Sequence, residues 1–157
     1  MKTFPAKKIT VNIDVHTQHY RIPRKKIQNV AACVLRGCAV RSAEVTILLV
    51  TDSFIRRLNK RYKKRNTATD VLAFPFEATD ACMRRLSRSY MGDIVISLDQ
   101  AKKNACRFGG SFTHELLLYV IHGVLHILGY DDIQEKDRRI MEEEQSRFFR
   151  LCVVNKS

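Results

Sequence analysis

The stretch FTHELLLYVIHGVLHILGYDD, residues 112–132, decides how the chain folds. Nearly every side chain from 112 to 128 is apolar, which predicts a helix buried on most of its circumference. Ser111 or Thr113 caps its start and Gly129 stops it. His122 and His126 sit inside this apolar run, and burying two imidazoles is unfavourable unless each finds a partner. Their i, i+4 spacing projects both rings from one face about a turn apart. A helix offers two nitrogens to a single metal ion in this way. Glu115 and Tyr119 lie earlier on the same face. Glu115 could orient a ligand from behind or be an exposed carboxylate of the first turn.

A metal needs more than two protein ligands. Gly129 lets the chain reverse just past His126, and Tyr130, Asp131 and Asp132 follow. A carboxylate here can swing back toward the rings, giving His-x3-His-x5-Asp with Asp132 as third ligand. Water is left the fourth position, the layout of a catalytic rather than a closed structural site. The alternative is a pair of core histidines, each satisfied by an ordinary hydrogen bond. Between the histidines stand Gly123, Val124 and Leu125, with no Glu beside His122 to serve as general base, so a zinc peptidase of that type is disfavoured. Gly123 is expected to leave room at the metal for a bulky substrate or another backbone.

Outward from this helix the chain alternates strands and helices. Residues 9–15 place Ile9, Val11, Ile13 and Val15 on one face of a half-buried strand. Pro23 opens a helix with Ile27, Val30, Ala31, Val34 and Leu35 as its apolar stripe, ended by Gly37. Residues 45–50, almost wholly apolar, predict a central strand. Thr51, Asp52 or Ser53 caps a helix that turns Phe54, Ile55, Leu58 and Tyr62 to the core. Residues 70–74 and 93–98 predict two more strands, with 77–91 a polar surface loop between them. A short helix spans 99–108. A last, charged helix spans about 133–151, with Ile133, Ile140, Phe148 and Leu151 inward. The expected class is α+β: one domain over 1–157, a mixed four-stranded sheet packed with about five helices.

The chain carries 28 Lys and Arg against 16 Asp and Glu, a net charge of +12. A surface that positive attracts phosphate backbones or anionic lipid. Seven basic residues and no acidic one lie between 56 and 65: Arg56, Arg57, Lys60, Arg61, Lys63, Lys64 and Arg65. Their repulsion is unrelieved unless something negative binds. Arg84, Arg85 and Arg88 could extend the patch, whereas residues 131–144 are acidic and are expected to face elsewhere. No apolar run is long enough for a membrane span, and the N-terminal residues do not resemble a secretory signal. The five Cys show no Cys-x-x-Cys pair and are expected to be reduced, mostly buried thiols of a cytoplasmic protein.

Residues 122–132, HGVLHILGYDD, resemble the His-Gly-x-Leu-His-x-x-Gly-Tyr-Asp-His signature of the bacterial YbeY family of ribosomal-RNA maturation endoribonucleases. Leu58-Asn59, Tyr62 and TDVLAFPF at 69–76 are similar to a second family motif, and MGDIVI at 91–96 to a third. They occur in family order across about residues 9–150. The resemblance implies a fold like the zinc-peptidase scaffold, with a metal-bearing helix under a mixed sheet. It implies Zn²⁺-dependent, single-strand-specific cleavage of RNA, with roles in 16S rRNA 3′ maturation and ribosome quality control in the cytoplasm. Two positions depart from the pattern. The family's third metal ligand is His, and here it is Asp132, a set that also suits iron or manganese. The family's functional Arg after the Tyr is here Lys63, which keeps the charge but loses the bidentate grip on phosphate. Arg61 or Arg65 could stand in for it.

The expected function is therefore metal-dependent RNA hydrolysis. His122, His126 and Asp132 hold the ion, Lys63 clamps the phosphate, and Arg57, Lys60, Arg61, Lys64 and Arg65 bind RNA. The competing readings are a ribosome-associated RNA-binding factor with a structural metal and a metal-dependent hydrolase of another substrate.

Overall fold

The computed structural model describes residues 7–77 and 89–156. Four strands, β1 (Ile9–Val15), β2 (Ala43–Val50), β3 (Val71–Pro75) and β4 (Tyr90–Ser97), form one sheet in the order β1-β2-β4-β3. β1, β2 and β4 are parallel, and β3 runs antiparallel on the outer edge of β4. Among the described residues five helices surround it: α1 (Arg24–Gly37), α2 (Asp52–Lys63), α3 (Leu98–Phe108), α4 (Phe112–Ile127) and α5 (Glu135–Phe149), with a π turn at Arg150–Val154. The mixed sheet, the five helices and the central place of β2 agree with the sequence reading. No helix among the described residues is long and apolar enough to cross a membrane.

The two-residue period of the strands separates two cores. Val45, Ile47 and Leu49 of β2, Ile94 and Ile96 of β4, and Val71 and Ala73 of β3 face the larger one. There they meet Ile27 and Leu35 of α1, Leu116, Ile121 and Leu125 of α4, and Met141 and Phe148 of α5. Val50, Val95, Leu72 and Phe74 point the other way, onto Ile55 and Leu58 of α2. The metal-type helix α4 and the basic helix α2 therefore lie on opposite faces of the sheet. α4 is apolar all round because α1, α3, α5, β3 and β4 all pack on it.

Gly123 does not open space at the histidines. A Cβ built there would stand 2.4 Å from Ile94 Cγ2 and 3.3 Å from Val71 Cγ1, so its missing side chain lets α4 settle onto β4 and β3. Ile94 is fully buried on an interior strand and its branched carbon cannot swing away. We expect Gly123→Ala to destabilise the protein by about 1–3 kcal/mol despite alanine's better helix propensity. Urea denaturation reads this directly, and an unchanged midpoint would refute the contact.

Other expectations change. β4 begins at Tyr90, inside the stretch expected to be a loop, and residues 78–88 of that stretch, with Arg84, Arg85 and Arg88, lie outside the described residues. Tyr62 is 56% exposed and leans edge-on against Phe74 rather than entering the core. Ile133 before α5, Ile140 on it and Leu151 after it are exposed, while Met141 and Phe148 are buried. The helix begins only at Glu135, after the chain has turned at the aspartates, and this later start sets a different inward face. Cys33 and Cys152 form a disulfide rather than staying reduced. Cys106 is exposed rather than buried, and Cys38 is half-buried. Cys82 lies outside the described residues.

Candidate metal centre

α4 starts cleanly because the Ser111 hydroxyl accepts from the His114 N–H. It ends in a Schellman motif: the Gly129 N–H bonds to the His126 carbonyl at 3.0 Å and the Tyr130 N–H to the Leu125 carbonyl at 3.0 Å. Gly129 has φ +99°, a value glycine adopts without strain. The next turn is made by Asp131, whose Oδ1 accepts from the N–H groups of Asp132 (2.7 Å) and Ile133 (3.1 Å). The Asp132 carbonyl accepts from Arg138 Nε at 3.1 Å. Together these bonds return the Asp132 side chain to the two histidines.

His122 Nε2 and His126 Nε2 are 3.1 Å apart. Asp132 Oδ2 lies 3.7 Å from the first and 3.5 Å from the second. A tetrahedral ion with bonds of about 2.0–2.1 Å holds its donors about 3.3 Å apart, so this triangle has the size of one face of such a site. The donor chemistry fits as well. His122 Nδ1–H donates to Gln145 Oε1 at 2.7 Å, which leaves the Nε2 lone pair pointing inward. His126 Nε2 faces the same centre, 3.1 Å from His122 Nε2 and 3.5 Å from Asp132 Oδ2. Burial first, and then the neighbouring His122, lower the pKa of His126 and keep it neutral, against the opposing pull of Asp132. Two ring nitrogens and a carboxylate oxygen thus converge, an arrangement that a cation would complete. His122, His126 and Asp132 could hold a metal ion, and no other described group of His, Cys, Asp or Glu has this geometry.

Beside the triad a cavity of about 240 Å³ opens between α4 and α5. Asp70, Tyr119, His122, Asp132, Arg138 and Glu142 line it, along with Gln145. Desolvation, foremost, pushes the Tyr119 hydroxyl up to about 12, so it stays protonated. Glu115 acts electrostatically on Tyr119, while the residue that orients His122 is Gln145, from the following helix. The sequence reading missed Gln145 and, although it named Asp131 among the carboxylates past Gly129, the turn that Asp131 makes. The Asp131 turn was open to it, since an Asp after a helix-stopping Gly often caps the next backbone amides. Nothing local marks Gln145.

Arg57, Lys60, Arg61, Lys63, Lys64 and Arg65 are exposed on α2 and its C-terminal turn. None has a carboxylate partner within ion-pair distance among the described residues. Arg57 instead lies over Phe54 and Arg61 over Tyr62. Lys63 is not among the residues lining the cavity. The patch and the triad sit on either side of the β3 edge.

An α+β sheet backed by a helix that presents two imidazoles, with a carboxylate folded back onto them, is the class of fold and site that could hold a metal ion beside a cleft. A family model described as Endoribonuclease YbeY matches residues 12–152. The Endoribonuclease YbeY of Desulforamulus reducens is 37% identical over 115 residues, covering 73% of this chain and 75% of that protein. That of Caldicellulosiruptor bescii is 36% identical over 143 residues, 87% of each. The solution structure of TM1509 from Thermotoga maritima superimposes with a TM-score of 0.62 at 26% identity, covering 93% of this chain and 91% of that one. The chain belongs to the Endoribonuclease YbeY family, whose members are named as RNA-cleaving enzymes.

Proposed function

We propose that this protein is a Zn²⁺-dependent, single-strand-specific endoribonuclease acting in the cytoplasm on ribosomal RNA, in 16S rRNA 3′-end maturation and ribosome quality control, in association with the small subunit. The single observation that carries the catalytic reading is the inward-facing triad at the mouth of a cleft, in a chain of this family. A zinc ion held by His122, His126 and Asp132 would supply Lewis acidity toward a phosphoryl oxygen and a more acidic water. The protein's own part is positional. Gln145 keeps His122 in the tautomer with its Nε2 lone pair inward. Asp131 and the Gly129 turn hold Asp132 in place. The phosphodiester enters the cleft at Tyr119. The α2 residues Arg57, Lys60, Arg61, Lys64 and Arg65 hold the strand beyond the β3 edge, and Lys63 adds its charge there.

Chelator-stripped protein should lose cleavage of a single-stranded RNA and regain it with stoichiometric zinc, while still binding the strand. If about five phosphates are neutralised, the logarithm of the binding constant falls with log salt at a slope of about −3.5. Cleavage that survives removal of the metal would refute the reading. Binding without any cleavage by zinc-loaded protein would favour the non-catalytic RNA-binding factor.

A further inference from the structure

We propose that Arg138 is the guanidinium that grips the scissile phosphate beside the metal centre. This inference rests on the endoribonuclease reading above and names a residue for it. Arg138 lines the same cavity as His122 and Asp132 and is exposed there. Its Nε donates to the Asp132 carbonyl at 3.1 Å, which fixes the root of the guanidinium on the backbone of the residue that supplies the third donor. No carboxylate of the described residues lies within ion-pair distance of it. Its neighbours on α5 are different: Arg139 pairs with Glu135 at 2.8 Å and Arg147 with Glu144 at 2.7 Å. Arg138 is thus an anchored guanidinium whose terminal N–H groups are not committed to an anion of the protein.

Charge balance favours it. Among the described residues three carboxylates line the cavity, those of Asp70, Asp132 and Glu142, against the single cation Arg138. A divalent ion and one guanidinium bring such a cavity to neutrality, and without the guanidinium it would be net negative and would repel a phosphodiester. A planar fork also matches two phosphate oxygens at once, which an ammonium cannot do. Lys63 does not line this cavity and α2 lies on the opposite face of the sheet; among the described residues the guanidinium at the cavity is that of Arg138 on α5.

The test compares Arg138→Gln and Arg138→Lys with Arg139→Gln, whose arginine is already paired. Zinc content is read by elemental analysis, cleavage of a single-stranded RNA by initial rates, and binding of the same RNA to chelator-treated protein by fluorescence anisotropy. We expect Arg138→Gln to keep its zinc and to lose roughly 100-fold in kcat/KM. Arg138→Lys should recover part of that loss, and Arg139→Gln should behave as wild type. Binding to chelator-treated Arg138→Gln should show a salt slope shallower by about 0.7, one phosphate contact. Wild-type kcat/KM in Arg138→Gln, with the wild-type protein active, would overturn this assignment alone. Loss of zinc together with cleavage would mean that Arg138 only holds Asp132, and would overturn it too. A zinc-loaded wild type that cleaves no RNA would overturn the endoribonuclease reading and this one with it.

Discussion

His126→Ala should bind no stoichiometric zinc and should cleave single-stranded RNA on the order of 1000-fold more slowly than wild type. The magnitude follows from the several kcal/mol of charge stabilisation that a Lewis acid supplies, about 4 kcal/mol for a thousandfold change in rate. The cause is geometric. Removing one ring leaves His122 Nε2 and Asp132 Oδ2 3.7 Å apart as the only two donors, too few to hold a labile divalent ion against water. His126 is half-buried near the C-terminal end of a helix that packs on every side, so the substitution also leaves a small void and costs some stability. Elemental analysis and thermal unfolding of the same sample separate the two effects. A folded, zinc-free variant that still cleaves at the wild-type rate would remove the triad from the reaction. Gln145→Leu should fall between the two, keeping the ligands but losing about 10- to 100-fold in zinc affinity, because the His122 ring is no longer held by its Nδ1 bond.

Reduction of Cys33–Cys152, or Cys152→Ser, should lower the unfolding free energy by about 2–4 kcal/mol. The bridge joins α1 to the π turn across a sequence separation of 119 residues. In the chain-entropy account, a cross-link that closes so long a loop restricts the unfolded chain strongly. A loss of 3 kcal/mol corresponds to roughly 6–12 °C in Tm for a chain of this size. Thermal unfolding with and without a dithiol reductant measures it, with intact-mass analysis reporting the two hydrogens gained on reduction. Identical transitions would show that the cross-link does not stabilise the fold. The bond lies away from the triad, so cleavage at 25 °C should be unaffected. In a reducing compartment the pair would be open, and α1 and the C-terminal turn would then be held by their apolar contacts alone, with Cys152 still part of the core.

The parts of the fold legible in the sequence are those set by local rules. The alternation of Ile9–Val15, the continuous apolar run of β2 and the all-apolar α4 name their elements because strand and helix periods differ. The triad was legible for the same reason: a four-residue spacing on a helix and a glycine turn are local facts. What escaped depends on contacts far apart in sequence. Gln145 is 23 residues from His122 and meets it only because α5 folds back along α4. In the sequence Gly123 reads as room for a substrate or another backbone, and only the fold shows that the sheet at Ile94 and Val71 takes that room. Ile140 and Met141 are adjacent and both apolar, and Met141 is the one buried because it shares a helix face with Phe148, seven residues on, which packs into the core. The basic run was plain as a charge pattern, but its separation from the triad by the sheet is a matter of topology.

The mixed donor set also determines how the centre answers to acid. An imidazole must shed its proton before it can coordinate, whereas a carboxylate is already bare throughout the neutral range. With Asp132 in the third place, loading the ion below the imidazole pKa releases two protons instead of the three that a trio of histidines would give up. Occupancy should therefore decline less steeply with acidity here than in a centre built from three imidazoles, and mildly acidic surroundings would strip this centre later.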